Sequence, residues 1–162
     1  MIYLTEATKD WPIEAGWRIA PAGVPWMVRG FRIKPGAGST IGNGTCLGDC
    51  ASINDGVTIG DDVTIGGGVT IGIGTIDGHR VMMGGAVTIG IGVNICNGVA
   101  IGNWANISDL VWLDEGSNIG NDTTIGRRVK IGKYAILADD TVIFEGTYIG
   151  IGSIICADPV SE

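Results

Sequence analysis

Val57-Thr58-Ile59-Gly60-Asp61-Asp62-Val63-Thr64-Ile65-Gly66 spells Val-Thr-Ile-Gly twice, six residues apart. In Val63-Thr64-Ile65-Gly66 the Val and Ile alternate with Thr, so both apolar side chains point to one side of a short strand and the Thr points outward. Gly after the strand is expected to supply the positive φ or tight corner that a β-branched residue would resist. Strand, corner, strand, corner is the predicted result.

Outward from this stretch the phrase continues without an inserted or deleted residue, as twenty hexads from Ile41 to Val160. The openers are Ile or Leu, with Met83 once and Asp77 as the one polar exception. The fifth position is small or β-branched (Thr45, Ala51, Val57, Val63, Val69), and in the last unit it is Pro159. A short period repeated this often marks a solenoid, in which a unit buries its apolar face only by stacking on its neighbours.

The pattern of aliphatic residue, Gly, two free residues, small residue and free residue, as in Ile59-Gly60-Asp61-Asp62-Val63-Thr64, resembles the hexapeptide-repeat superfamily. The resemblance implies an all-β fold, a left-handed parallel β-helix with three hexads per coil. Twenty hexads then make six to seven coils, a rod of roughly 30 Å at ~4.8 Å per layer. The expected organisation is a Trp- and Pro-rich cap or anchor segment at 1–34 that does not follow the repeat, and the β-helix over 35–162.

The chain has 162 residues, 29 of them Gly, and a net charge of -7. The length suits one core, and the acidic balance argues against nucleic acid or an anionic membrane as partner. The N-terminus lacks the basic and apolar regions of a secretory signal, so synthesis in the cytoplasm without a signal peptide is expected. No run is long and apolar enough to span a bilayer. Of the four cysteines, Cys96 and Cys156 are more than three coils apart and Cys46 and Cys50 are separated by a corner. Free thiols are therefore expected. With one His and dispersed Cys, no zinc or other metal site is expected.

Residues separated by eighteen should stand above one another. That rule predicts charge ladders of Asp61 with His79, Asp62 with Arg80, Glu115 with Lys133 and Arg127 with Glu145, solvated pairs worth little each. It also predicts an outward column of Ser52, Thr70, Thr88, Asn106 and Thr124. Such a column would suit ice binding, but Thr is a good exposed strand residue in any case and Asn106 breaks the array.

Apolar residues at outward positions are more telling. Ile73 and Ile91 lie one coil apart, with Gly74 and Gly92 beside them, and Ile76, Leu110 and Trp112 share the face that follows. A contiguous apolar patch marks an interface, and the resemblance implies a parallel homotrimer. Ile73, Ile91, Leu110 and Trp112 are the predicted trimer contact. Trp11, Trp17, Trp26 and Phe31 crowd the segment before the repeat. They either fold over the first coil or anchor the rod to a larger protein scaffold, Trp being enriched in interface hot spots.

Two function classes follow. One is a non-enzymatic structural protein, a rigid trimeric rod anchored through its N-terminal segment, such as a decoration or spike protein on a virus particle, with no cofactor. The unbroken hexad run favours it, because the acyltransferases that this chain resembles usually carry a loop that interrupts the repeat. The alternative is an acyltransferase taking its acyl group from acyl-CoA or an acyl carrier and passing it to a sugar or amine. In the sugar acyltransferases of lipid A synthesis a catalytic His stands third in a hexad, and His79 is third in Asp77-Gly78-His79-Arg80-Val81-Met82. That resemblance carries the role of general base onto His79, although Arg80 stands where those enzymes typically place an Asp. Asp77 would point toward the core, and is expected to be protonated, paired with Arg80 or displaced by a bulge.

Overall fold

Eighteen residues return the chain to the same face. In the computed structural model the described residues are 39–41, 45–48, 50–54 and 56–157, with short pieces at 2–3, 10, 13–14, 17–19 and 32–33. Each hexad gives a two-residue strand, for example Thr58–Ile59, Thr64–Ile65 and Thr70–Ile71. Strands one coil apart pair in parallel: Thr70 stands between Ser52 and Thr88, Asp77 between Ile59 and Ile95, and Met83 between Ile65 and Ile101.

Three sheets of nine, eight and seven strands result. We call them sheet 1 (with Thr70–Ile71), sheet 2 (with Ile76–Asp77) and sheet 3 (with Met82–Met83). Two strands of sheet 1, Ile13–Glu14 and Trp17–Ile19, and one of sheet 2, Ile2–Tyr3, join antiparallel. Without them each sheet contributes seven strands to the parallel stack. The fold is a left-handed parallel β-helix, as the resemblance implies. The stack already includes Arg32–Ile33, which pairs in parallel with Ser52–Ile53.

Openers and fifth residues form the core. Ile53, Val57, Ile59, Val63, Val69 and Ile71 are completely buried, and burial of each aliphatic side chain stabilises by about 1.5–3 kcal/mol. Thr75 and Thr123, which take the fifth place in their hexads, are buried and their hydroxyls bonded: Thr75 Oγ1 donates to the carbonyl of Gly90 at 3.1 Å and Thr123 Oγ1 to that of Ala138 at 3.4 Å. The backbone of Asp77 keeps its register with Ile59 and Ile95, so no bulge displaces it. Its side chain lies outside the description.

The glycines work differently from the sequence expectation. Positive φ falls two residues after the conserved-in-register Gly, at the fourth position of the hexad, and non-glycine residues often occupy it: Asp62, Arg80, Ala86, Trp104, Leu110, Asp122, Arg128, Tyr134 and Asp140 all have φ between 54° and 62°. The Gly after the strand is required by close approach. A β-carbon on Gly60 would lie 2.5 Å from the carbonyl oxygen of Gly78, and one on Gly120 would lie 2.5 Å from Asp139 N in the coil above. Backbone packs on backbone there, and a methyl group has no room.

The outward column is also only partly outward. Thr88, Asn106 and Thr124 are exposed, but Ser52 is buried, as is Thr40 in the same part of the rod. Both belong to the coils beside the antiparallel N-terminal strands. No helix among the described residues is long and apolar enough to cross a membrane.

Candidate functional site

The corner between sheets 2 and 3 collects the chain's chemistry. Its residues stack in two columns, Asp61, His79, Asn97, Glu115 and Lys133 in one, Asp62, Arg80, Gly98, Gly116 and Tyr134 in the other. All of these except Lys133 line an open cleft of about 570 Å³. The second column is left-handed throughout, with φ of 55°, 56°, 68°, 66° and 55°. Arg80 and Tyr134 therefore project from the corner at opposite ends of a floor made by Gly98 and Gly116. A β-carbon on Gly98 would meet nothing within 4 Å, while one on Gly116 would stand 2.6 Å from the Tyr134 ring. The floor is open at Gly98, and the Tyr134 ring covers Gly116.

His79 is the single imidazole of the chain and is more than half exposed. Its Nδ1 accepts the backbone N–H of Asp61 at 3.0 Å and lies 3.6 Å from Asp61 Oδ2. Its own N–H is bonded to Asn97 Oδ1 at 2.9 Å, and its carbonyl accepts the N–H of Gly98 at 2.9 Å. The same bond recurs at the other corners. Asn103 Oδ1 accepts Gly85 N–H at 2.8 Å, Asp109 Oδ1 accepts Ile91 N–H at 2.9 Å, Asn121 Oδ1 accepts Asn103 N–H at 2.8 Å and Asp139 Oδ1 accepts Asn121 N–H at 2.7 Å. An acceptor at the third position of one hexad satisfies the amide eighteen residues before it, and His79 fills that role with a ring nitrogen.

The charge ladders form in part. Asp61 pairs with His79 when the ring is charged, and Lys133 Nζ lies 3.0 Å from Glu115 Oε2. The hydrogen bond from Lys133 to Glu115, and then the charge of that carboxylate, raise the Lys133 pKa above its ordinary value. Arg127, expected on Glu145, instead reaches down to Asp109 at 3.4 Å, and Glu145 is taken by Arg128 at 3.5 Å. The left-handed corner turns Arg128 toward Glu145. Among the described residues Asp62 and Arg80 form no ion pair, because both project from consecutive left-handed corners into the cleft.

Of the predicted trimer residues, Ile73, Ile91 and Leu110 lie one corner away, between sheets 1 and 2, and Trp112 opens the next strand of sheet 2. Ile73, Ile91 and Leu110 are about half exposed and Trp112 slightly less. Leu110 leans over Gly92, whose added β-carbon would be 3.1 Å from Leu110 Cδ2, so the apolar surface continues upward from Ile91. Trp112 is not bare: the ammonium of Lys130 sits 5.6 Å from its ring centroid, a cation–π contact between stacked strands. Of the proposed anchors, Trp11, Trp26 and Phe31 lie outside the described residues. Trp17 begins a strand, and its side chain is likewise outside the description.

Cys50, Cys96 and Cys156 are free. Burial, and next the charge of Asp114, push the Cys96 thiol pKa up, against a hydrogen bond from Trp112. Among the described residues no three His, Cys, Asp or Glu side chains are grouped to hold a metal ion.

Comparison with known proteins places the repeat in context. Residues 38–73 match the model of the bacterial transferase hexapeptide family, six repeats long. No curated protein sequence matches. A Bacillus cereus protein named as a candidate acetyltransferase has a similar structure, with a TM-score of 0.61 and 18% identity over 72% of this chain and 71% of that one. The UDP-N-acetylglucosamine acyltransferase of Francisella novicida aligns at a TM-score of 0.47 and 18% identity, over 70% of this chain and 54% of its own. That of Campylobacter jejuni aligns at 0.43 and 19%, over 70% and 57%.

Proposed function

Starting from hexads stacked as a left-handed β-helix, of which residues 38–73 match the bacterial transferase hexapeptide model, we propose that the chain transfers an acyl group from a thioester donor to a small acceptor in the cleft beside His79. One observation carries this reading: the lone histidine, three carboxylates, a guanidinium and a tyrosine converge on one cleft of about 570 Å³. Perturbable groups gathered in a concave site are what acid–base work requires. The transferase name of the matching family model and of the Bacillus cereus protein supports the reaction class.

The resemblance assigns His79 the role of general base. In that role Nε2 takes the acceptor's proton, and the ring gives up the bond that Nδ1 accepts from the Asp61 N–H so that Nδ1 carries its own proton toward Asp61 Oδ2, 3.6 Å away. The acceptor oxygen or nitrogen bonds to the acyl carbon, the carbon–sulfur bond breaks, and the proton passes to the departing thiolate. Acyl-CoA is the donor, as substrate and not as resident cofactor.

The functional unit in this reading is a homotrimer closed by Ile73, Ile91, Leu110 and Trp112. Their corner and the His79 corner border the same sheet 2, so a neighbouring copy would wall the cleft on that side. Residues 1–34 act as the cap of a β-helix over 35–162.

A second reading, a non-enzymatic rod anchored to a scaffold through Trp11, Trp17, Trp26 and Phe31, such as one on a virus particle, is favoured by the Asp61–His79 bond. It gives the imidazole the same structural task as the Asn and Asp side chains of the other corners.

The test is thiol release from acetyl-CoA by the full chain and by His79→Ala, with melting measured on both. Acyl transfer predicts acceptor-dependent thiol release that falls by about 10²–10⁴-fold in the variant at little cost in stability. No release from the wild-type chain favours the rod, and release that His79→Ala leaves unchanged removes the imidazole from the reaction.

A further inference from the structure

We infer that the upper end of the rod is a docking edge for an extended segment of another protein, basic at its start and apolar beyond, which adds as a parallel strand over Val142–Ile143 of sheet 1. The hydrogen bonds between coils have a fixed sense. Thr124 N–H donates to the carbonyl of Thr141 at 2.9 Å and Gly126 N–H to that of Ile143 at 2.8 Å, each reaching to the coil above. In the last described coil the equivalent donors are the N–H groups of Val142, Phe144, Tyr148, Gly150, Ile154 and Cys156, and among the described residues no carbonyl stands over them. At the opposite pole sheets 1 and 2 are closed by antiparallel strands of this chain, Ile13–Glu14, Trp17–Ile19 and Ile2–Tyr3. A row of unpaired donors on a strand edge is a template for a further strand.

The side chains along this edge fit an apolar strand. A hollow of about 440 Å³ is lined by Thr141, Val142, Phe144, Ile155 and Cys156, with Asp140 beside them. Phe144 is 78% exposed and Val142 55%. The core below them is also less covered than elsewhere: Ile125 is completely buried, Ile143 one coil above it is 6% exposed, and Ile155 is only partly buried. Side chains alternate along a strand, so a segment over Thr141, Val142 and Ile143 sets its first and third residues on this open core and its second beside Val142. Two apolar residues separated by one free residue complete the packing.

Charge specifies the segment further. From Tyr134 to Ala157 the chain carries Asp139, Asp140 and Glu145 and no Lys or Arg. Glu145 is held by Arg128, and Asp139 accepts two bonds from Asn121. The carboxylate at the start of the hollow is that of Asp140, exposed and in no ion pair among the described residues. A Lys or Arg directly before the apolar pair meets it. Residues 158–162 of this chain match the edge poorly, because the register of eighteen sets Asp158 against Asp140. Five residues also span at most ~18 Å, one of the three sides of the coil.

Proton–nitrogen spectra of the full chain, titrated with the synthetic peptide acetyl-Lys-Val-Thr-Ile-Gly-amide, test this. The Val and Ile carbonyls of the peptide are spaced to accept the N–H groups of Val142 and Phe144. Those two resonances should shift saturably, and their exchange with solvent should slow by about tenfold at saturation. The same peptide with Asp in place of Lys should bind about three- to tenfold more weakly at low salt. Val142→Pro removes one edge donor where no described coil lies above, a place that tolerates Pro, and should weaken the Lys peptide by about tenfold. No shift at Val142 and Phe144, equal binding of the two peptides, or binding that Val142→Pro leaves unchanged overturns the inference. So does slow exchange of Val142 and Phe144 in the free chain, equal to that of Thr124 and Gly126, which would put residues of this chain on the edge.

Discussion

The Tyr134 ring lies over Gly116, so close that a β-carbon on that glycine would stand 2.6 Å from Tyr134 Cδ1. One coil below, Gly98 has nearly the same backbone, φ 68° against 66°, and empty space where its side chain would be. The pair separates backbone strain from contact with the cleft wall. Gly98→Ala should cost about 1–2 kcal/mol for a left-handed residue, and Gly116→Ala should cost this plus about 1–3 kcal/mol for displacing the ring. Urea unfolding of the two variants checks the difference. Equal losses would mean that Tyr134 does not rest on Gly116.

Glycines after the strands should be the least replaceable in the chain. Gly120→Ala drives a methyl group into the backbone of Ala138 and Asp139, whereas Gly146→Ala, at φ 73°, meets nothing within 4 Å. The first should lose about 3 kcal/mol or more and the second about 1–2 kcal/mol. Midpoints of thermal or urea unfolding would rank them, and the reverse order would contradict the close-approach account.

The apolar corner predicts an assembly. Sedimentation of the wild-type chain should give a mass three times the 16.7 kDa of one chain. Leu110→Asp places a carboxylate beside Ile91 in the proposed contact, and a charge buried there without a partner costs several kcal/mol. That variant should sediment as single, folded chains. A trimer that survives it would move the interface elsewhere.

Cys96 should be a slow nucleophile. Burial and Asp114 raise its pKa, so its thiolate appears only at higher pH than in an ordinary thiol. Alkylation by iodoacetamide, located by peptide mass, should show the Cys96 rate rising at a higher pH than that of a small free thiol. The sign for stability follows: a raised folded-state pKa contributes stability below the unfolded thiol's pKa, and the contribution is lost as pH rises through the folded value. Alkylation at or below the pH of the free thiol would contradict the burial.

The core was legible before any coordinates, because a strict period of six leaves only one way to put Ile59, Val63 and Ile65 on the same side. Parallel pairing eighteen residues apart follows from the three hexads per coil that the resemblance implies, and Glu115–Lys133 agrees with it at 3.0 Å. The corners were not legible to the same degree. Positive φ or a tight corner was expected at the Gly after each strand; the close approach is there, but positive φ falls two residues later, at Asp62 and also at Arg80 and Tyr134, whose residue types do not point to it. That shift decides which side chains enter the cleft and why Arg127 reaches Asp109 in place of Glu145. The ladder of third-position acceptors left a signal in Asn97, Asn103, Asp109, Asn121 and Asp139. It could have been read as a column of amide acceptors, with His79 as a member.

Chemistry in the His79 cleft is tested most directly by filling the cleft at a distance from the reacting groups. Asn tolerates the left-handed backbone of Gly98 better than other side chains, and the space above Gly98 is empty, so Gly98→Asn should fold while occupying the floor between Arg80 and Tyr134. Acceptor-dependent thiol release from acetyl-CoA should then fall by about 10²-fold against the wild-type chain. Transfer at the wild-type rate by the folded variant, or no transfer by the wild-type chain, would contradict the account.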